Sequence, residues 1–272
     1  MTRQANWLKS IREKPLSTKR LAAHIVEDIQ GHFQEFDRVV KRYNVRMVDV
    51  SNFDETGFQI GVVTGDRVFV SLDYEAIYTT DPSNRELVTA VATINYSGKK
   101  VPAMVIFKGA YYLRGHFQNE LDGNILFARS TTGFSNRHLA LCYIKHFNRF
   151  CPPSNRGRYR ILIFDGHNSH LSDEFLQYCW ENRIRPYRLP AHTTHLLQPL
   201  DVAVFQPLKH WFQVELRREV FMGAETMDKK AFFAMFQRFW DKVFDSRSLA
   251  RNSFKKTGLI PLNPELVLSK MK

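Results

Sequence analysis

Apolar residues recur every three or four positions in the first part of the chain. Over residues 17–46 they are Leu21, Ile25, Ile29, Phe33, Phe36, Val39, Val40 and Tyr43. This spacing predicts an amphipathic helix, which Ser17 can cap and which Gly31 weakens or splits. We interpret it as a packing helix that leads into the main domain, because thirty such residues do not make a helix-turn-helix. The competing interpretation is an arm that contacts DNA.

From Val45 onward the pattern changes to short runs of β-branched and aromatic residues, bounded by Gly, Pro, Asn and Ser. It predicts strands at 48–58, 67–72, 87–96, 99–107, 158–164 and 185–189, and a hairpin turn at 95–99. It predicts helices at 135–150, 172–182, 207–221 and 228–245. The alternation favours an α/β domain with a mixed sheet and helices on its faces. The apolar run at 161–164 is typical of a central strand buried on both sides.

The charge balance points to a polyanionic partner. The chain has 39 Lys and Arg against 27 Asp and Glu, a formal net charge of +12. No acidic residue occurs from Gly123 to Phe164, and the basic side chains there that we take as candidate DNA contacts are Arg137, Lys145, Arg149, Arg156, Arg158 and Arg160. Neutralising phosphates with such residues drives nucleic-acid binding by counterion release. The alternative is a basic protein with no nucleic-acid role.

Cysteine usage and hydropathy narrow the class of protein. The three cysteines, Cys142, Cys151 and Cys179, have no CxxC spacing, so we expect core thiols in a reducing compartment rather than disulfides or a thiolate zinc site. No stretch approaches the roughly 20 apolar residues that a membrane helix needs. We therefore expect an intracellular protein without a membrane partner.

Three carboxylates follow or end predicted elements. Asp165 comes directly after the buried run at 161–164, where open α/β sheets place their sites; the alternative is an Asp-Gly turn. Asp54 and Glu55 lie within a strand, where neighbours point to opposite faces. We choose Asp54 for the site and Glu55 as an auxiliary residue, with Phe53 sharing the face of Glu55 only if the strand is strongly twisted or bulged. Asp201 precedes a helix, which leaves a metal ligand and a helix-dipole role equally open.

Separated carboxylates of this kind suit a hard divalent cation that must also bind a phosphodiester. The segments around them contain polar side chains that we count as auxiliary candidates. These are Glu55, His167, His170, His195 and Gln198. Each histidine near Asp165 is a metal ligand, a phosphate contact or a loop residue. The leading hypothesis is metal-dependent cutting or joining of DNA.

Four strings of sequence, taken in order, resemble the DDE endonuclease domain of pogo-like transposases in the mariner superfamily, a group with centromere-binding and jerky-type domesticated relatives. They are residues 52–58 (NFDETGF), 165–170 (DGHNSH), 189–201 (LPAHTTHLLQPLD) and 254–264 (FKKTGLIPLNP). The likeness extends over about residues 20–268. The third string is the longest and the most specific, and it ends in Asp201.

The resemblance implies an RNase H-like fold with a five-stranded mixed sheet, and a metal-binding triad of Asp54 on the first strand, Asp165 after the fourth and Asp201 at a following helix. It also implies two Mg²⁺ or Mn²⁺ ions, DNA as the partner and a nuclear location. We expect an N-terminal helical linker at 1–46, a catalytic domain at 47–206 and a C-terminal helical extension at 207–272.

Relatives in this family carry helix-turn-helix modules that recognise transposon ends, and fewer than fifty residues precede the catalytic domain here. We therefore expect the chain to act as a homo-oligomer or with a separately encoded DNA-binding module. Two functions stay open at this point, and another metal phosphoesterase with the same fold is a weaker third. One is an endonuclease with strand-transfer activity, and the other is a non-catalytic DNA- or chromatin-binding remnant of a transposase.

Overall fold

The computed structural model describes residues 18–60, 86–109, 111, 121–165, 172–222 and 227–271. The strand predicted at 67–72 and the two histidines His167 and His170 lie outside these ranges. The described strands are β1 (Val50–Ile60), β2 (Glu86–Asn95), β3 (Met104–Lys108), β4 (Leu126–Ser130), β5 (Arg160–Phe164) and β6 (Ile184–Arg188). The longer helices are α1 (Thr18–Arg42), α2 (Arg137–Phe150), α3 (Asp173–Glu181), α5 (Phe205–Phe221), α6 (Lys229–Phe244) and α7 (Arg247–Lys256). Two short helices, α4 (Thr194–Leu197) and α8 (Glu265–Leu268), a π-helical turn (Leu200–Val204) and two 3-10 turns (Met47–Asp49 and Ser269–Met271) are the other helical elements of the described residues.

The described strands form one mixed sheet in the order β4-β3-β2-β1-β5-β6. β1 is antiparallel to β2 and parallel to β5, and β6 is parallel to β5. The predicted α/β class with helices on both faces is confirmed, but the sheet has six strands among the described residues rather than five. The strand that the sequence pattern missed is β4, a five-residue edge strand that pairs in parallel with β3. The sequence pattern does not identify β4 as a strand, because Leu126–Ser130 includes an exposed Arg and has no alternation of apolar and polar residues. Only its pairing with β3 does so.

Alternation along β1 supplies two separate cores. Val50, Phe58 and Ile60 face a layer that includes α1, α5, α6 and α7, whereas Phe53 faces α2 and α3. On β5 the alternation is the same, with Ile161 and Ile163 on the first face and Leu162 and Phe164 on the second. The predicted burial of this strand on both faces is confirmed, since all five of its residues are buried. The result is a three-layer α/β/α arrangement.

Helix α1 runs through Gly31 without interruption, so the predicted split does not occur. Its residues Ile29, Phe33 and Phe36 are buried in the same core as the C-terminal helices. The described part of α1 is therefore a packing helix, as we expected. The division into a linker, a catalytic domain and a C-terminal extension stays a prediction. The three cysteines are free thiols, and Cys151 and Cys179 are buried.

Candidate active site

Asp54 lies in the middle of β1 on the face that points toward the C-terminal helices. The pairing of β1 with β2 keeps one register from Ser51↔Asn95 to Ile60↔Glu86, so the strand has no bulge. Strict alternation therefore places Asp54 with Asn52 and puts Phe53 and Glu55 together on the opposite face. The expectation that a bulge or strong twist is needed for this arrangement was wrong. Burial raises the pKa of Tyr143 in α2, and the charge of Glu55 adds to that rise, which agrees with Glu55 facing α2.

Asp165 follows the last residue of β5, the fifth described strand rather than the fourth. The parallel register pairs Asn52 with Ile163. Carried two residues further along both chains, the same register sets Asp165 beside Asp54. Adjacent strands are about 4.8 Å apart, and alternation gives Asp165 the same face as Ile161 and Ile163, which is also the face of Asp54. The parallel pairing of two non-consecutive strands thus brings together two residues that are far apart in sequence.

Asp201 lies in the π-helical turn Leu200–Val204 that leads directly into α5. A hydrogen bond between its carboxyl group and that of Asp54 acts to lower the pKa of Asp201. Burial and then the negative charge of Asp165 act in the opposite direction, and the net pKa of Asp201 is raised. The pKa of Asp54 is raised well above its ordinary value, first by burial and then by the charge of Asp201. Asp201 therefore interacts with both of the other carboxylates.

A hydrogen bond between two carboxyl groups requires one proton between them. That proton offsets part of the repulsion that would otherwise follow from placing like charges together on a partly buried face. Bound cations supply the same compensation and allow every oxygen to act as a ligand. Oxygen donors of this type match the ligand preference of Mg²⁺ and Mn²⁺. Within the described ranges, however, no group of three His, Cys, Asp or Glu side chains is already placed to hold a metal ion.

Two of the auxiliary candidates contact this cluster electrostatically. Gln198 is buried and hydrogen-bonds the Asp54 carboxyl group, which partly opposes the rise in its pKa. The Oε1 atom of Gln198 is buried and has no hydrogen-bond partner among the described residues, so within them Gln198 presents an unused acceptor next to Asp54. His195 is exposed at α4, and its interaction with Asp201 lowers the pKa of that carboxyl group.

The sequence reasoning missed Asn52, a side chain that the structure buries completely. Its Oδ1 accepts a hydrogen bond from the backbone N–H of Leu200 at 2.9 Å. Its Nδ2 donates to the carbonyl of Ile163 at 3.0 Å. One amide therefore joins β1, β5 and the π-helical turn, close to all three aspartates. The available signal was a polar amide inside a strand-like run, since Asn is depleted in strands unless it has a specific partner.

The basic candidates divide into surface and interior residues. Arg137, Lys145, Arg149 and Arg156 are exposed, and Arg158 is half-buried. Arg160 is buried, and its guanidinium donates to the Cys151 carbonyl at 2.6 Å, the Asn148 side chain at 2.6 Å and the Asn182 carbonyl at 2.9 Å. The expectation that Arg160 contacts DNA is corrected here, because its donors serve backbone and side-chain acceptors in the interior.

Comparison with known proteins identifies the family of the chain. Residues 84–255 match the family described as DDE superfamily endonuclease, a range that includes Asp165 and Asp201. The chain is 24% identical over 202 residues to "Pogo transposable element with KRAB domain" of Mus musculus, and the aligned region covers 73% of this chain and 32% of that protein. It is 32% identical over 231 residues to "MFS-type transporter clz9" of Cochliobolus lunatus, covering 85% of this chain and 25% of that protein. The chain thus spans between a quarter and a third of these relatives.

Among solved structures, the fold resembles that of the Mos1 strand transfer complex, with a TM-score of 0.56 and 12% identity over 98% of this chain and 67% of that one. The pre-cleavage Mos1 transpososome gives a TM-score of 0.55 with 12% identity over 98% of this chain and 68% of that one. The expected RNase H-like fold is thereby confirmed. None of the helices in the described part of the chain is long and apolar enough to cross a membrane. By its family match, which covers more than half of its length, this chain belongs to the DDE superfamily endonucleases.

Proposed function

We propose that this chain cuts DNA and transfers the cut strand by metal-dependent phosphodiester chemistry, with Asp54, Asp165 and Asp201 as the metal-binding residues. The observation that carries the proposal is the position of Asp201, which is hydrogen-bonded to Asp54 and in electrostatic contact with Asp165. A structural protein has no need for three carboxylates on one partly buried face, because their mutual repulsion destabilises the fold. Structures of the Mos1 catalytic domain with Mn and with Mg agree with a divalent metal in this group of folds.

The three aspartates would hold two Mg²⁺ or Mn²⁺ ions, which when bound activate the attacking oxygen and stabilise the leaving oxygen of an in-line displacement. The residues around them prepare the site. Asn52 fixes the backbone on which all three carboxylates are mounted. Gln198 donates to Asp54 and favours its ionised form. The proton held between Asp54 and Asp201 must leave before both carboxylates act as ligands.

DNA is the proposed partner and the nucleus the proposed location. The charge of +12 supports this choice. It is also supported by the likeness in fold to the Mos1 transposase in its paired-end complex with the left transposon end. We also propose that the chain acts on DNA as a homo-oligomer or together with a separately encoded DNA-binding module. The helical linker, the RNase H-like domain and the C-terminal extension are the proposed divisions of the chain.

A plasmid-nicking assay tests the proposal. Purified protein is incubated with supercoiled plasmid and Mn²⁺ or Mg²⁺, and the formation of nicked and linear DNA is followed with time. The Asp165→Asn variant is expected to nick the plasmid more than about a hundredfold more slowly than the wild type, because it lacks a group that acts in the transition state. Asp173→Asn is the matched control, because it removes the same charge from an exposed position in α3.

The assay also separates the two functions that the sequence left open. Nicking by the wild type and the control, but not by Asp165→Asn, supports the nuclease. Equal background in all three proteins, with DNA binding retained, rejects the nuclease and favours the non-catalytic DNA-binding remnant.

A further inference from the structure

A continuous basic surface lies at the end of the sheet opposite the carboxylates. We call it the arginine surface, and it consists of Arg42, Arg46, Arg156, Arg158, Arg183 and Arg185. These residues come from three separate parts of the chain, namely the end of α1 with the turn after it, the loop before β5, and the turn between α3 and β6 with the start of β6. Their proximity is therefore a property of the fold and was not visible in the sequence.

Direct contacts tie the three segments together. The Arg158 guanidinium donates to the Asn44 carbonyl at 3.1 Å, and the Arg183 guanidinium donates to the Gly157 carbonyl at 2.6 Å. The rings of Tyr43 and Tyr159 are 5.0 Å apart. The segments thus form one contiguous surface rather than scattered charges.

Aromatic rings orient the central arginine. The Arg185 guanidinium carbon lies 3.8 Å from the ring centre of Tyr43 and 4.2 Å from that of Trp180. Stacking of this kind holds a guanidinium in a fixed plane and costs less desolvation than burial of an ammonium. Trp180 nevertheless stays 66% exposed. A large aromatic side chain left in solvent beside stacked arginines is typical of a surface that meets a partner.

The neighbouring acidic groups do not neutralise this surface. Among the described residues, none of its six arginines forms an ion pair. Asp49 is buried and accepts from the backbone N–H of Ser154 at 2.6 Å. Glu181 is exposed beside Trp180 and accepts from the Gln177 side chain at 2.9 Å. Packing explains Arg185, and the Arg42 guanidinium carbon lies 5.6 Å from the ring centre of Tyr43. Packing gives no role to the exposed guanidinium groups of Arg46 and Arg156.

The location separates this surface from the proposed catalytic site. Arg158 precedes β5 and Asp165 follows it, and the five residues of the strand span about 17 Å at a rise near 3.3 Å per residue. Arg183 and Arg185 likewise lie at the start of β6, which runs parallel to β5. A DNA backbone on the arginine surface is therefore a different segment from the one at the carboxylates.

We propose that the arginine surface binds the phosphate backbone of a second segment of duplex DNA, apart from the segment that is cut. The choice of partner rests on the proposed DNA substrate, but it does not depend on cleavage. Phosphate oxygens are the acceptors that planar guanidinium groups bind in pairs, and such contacts position a duplex without reading its sequence.

The test compares two triple variants of the full chain that have the same net charge. Arg42, Arg46 and Arg156 are replaced by Gln in the first variant. Lys100, Arg218 and Lys242, which are exposed elsewhere, are replaced by Gln in the second. Each has a formal charge of 12 − 3 = +9. Affinity for a fluorescent duplex is measured by anisotropy over a range of salt concentrations, and folding is checked by circular dichroism.

The first variant is expected to bind at least about tenfold more weakly, and its slope of log affinity against log salt should fall by about 2.7, which is about 0.9 for each lost phosphate contact. Trp180 gives a local readout, because duplex binding should change an intrinsic fluorescence signal that is lost in Trp180→Phe. An unchanged slope, or an equal loss in both triple variants, overturns the proposal. A smaller salt slope in the first variant supports DNA binding at the arginine surface even when the wild type does not nick plasmid. The binding proposal and the nuclease proposal can therefore fail independently.

Discussion

The buried Asn52 side chain accepts, through its Oδ1, a hydrogen bond of 2.9 Å from the backbone N–H of Leu200. This bond fixes the first strand to the turn that contains Asp201. The same amide donates to the carbonyl of Ile163, two residues before Asp165. The geometry of the candidate site therefore depends on a residue that has no chemistry of its own in the proposed reaction. It acts by holding three segments at a constant spacing.

Replacement of Asn52 by Leu should disturb both folding and metal binding. The change leaves a buried N–H and a buried carbonyl without partners, which together cost about 2–4 kcal/mol of the free energy of unfolding. Chemical denaturation gives this value. The rise in Tm on addition of Mn²⁺ should also become smaller, because the carboxylates lose their common support.

Asn95→Leu is the control for that prediction. Asn95 is an equally buried amide on β2 that donates to the carbonyls of Val48 and Val50 at 3.1 Å. It should lower the free energy of unfolding by a similar amount and leave the Mn²⁺ response unchanged. If both variants lose the Mn²⁺ response equally, the effect of Asn52 is one of general stability.

The proton shared by Asp54 and Asp201 leads to a second prediction. An asparagine side chain has nearly the shape of a protonated aspartic acid and would keep a donor toward Asp201, so Asp54→Asn should stabilise the metal-free protein at neutral pH by about 1 kcal/mol. The pKa of both carboxyl groups is raised in the folded protein. Their stabilising contribution is therefore complete below the unfolded pKa near 3.9 and is lost as the pH rises.

The advantage of Asp54→Asn should thus be small at about pH 4 and should grow toward pH 7. Thermal unfolding in the presence of a chelator measures it. Added Mn²⁺ should raise the Tm of the wild type and have less effect on the variant, because binding to the folded state stabilises it by mass action. A variant that is destabilised at every pH would contradict the idea of carboxylate repulsion.

The sequence alone selected Asp54 and Asp165 as candidate site residues, but it did not reveal the side chains that hold the neighbouring segments in place. Asp54 and Asp165 follow from strand alternation and from a buried apolar run, both of which are local patterns. The roles of Asn52 and Arg160 depend on contacts with segments that are distant in sequence, such as those of Asn52 with Leu200 and Ile163. A local pattern contains no information about such partners, and therefore Arg160 looked like any other arginine in a basic stretch.

The same reason explains the errors in the fold. The edge strand β4 is defined by its pairing with β3. Gly31 is tolerated because Ile29 before it and Phe33 after it are buried in the core, and local helix propensity does not include that packing. The roles of the three aspartates as metal ligands stay predictions until metal binding is measured.

His32 should make the stability of the protein depend on pH. It is buried in α1, and the hydroxyl of Tyr187 lies 3.1 Å from its Nδ1. Its Nε2 has no hydrogen-bond partner in the part of the chain that the structure describes. Burial lowers the pKa of His32 from 6.5 to about 4. Between these pH values the unfolded chain binds a proton at His32 and the folded chain does not. The free energy of unfolding therefore falls by up to about 3 kcal/mol as the pH is lowered from about 6.5 toward 4.

The His32→Gln variant should show a flatter dependence on pH over this interval. Urea unfolding at pH 7.5, 6 and 5 gives the comparison. His138→Gln is the control, because His138 is exposed in α2. A parallel decline in the wild type and in His32→Gln would show that other groups cause the loss.

Arg160→Met separates a structural arginine from a DNA-binding one. The substitution leaves the Cys151 and Asn182 carbonyls and the Asn148 side chain without the donors that they now have. We expect the free energy of unfolding to fall by about 3 kcal/mol, because several buried acceptors lose their partners at once. Arg156→Gln, at an exposed position in the same stretch, should change the free energy of unfolding by no more than about 0.5 kcal/mol.

Under conditions where both variants stay folded, the slope of log DNA affinity against log salt should be unchanged for Arg160→Met and lower by about 0.9 for Arg156→Gln. A slope that falls in Arg160→Met would mean that this guanidinium reaches phosphate, which its burial does not allow.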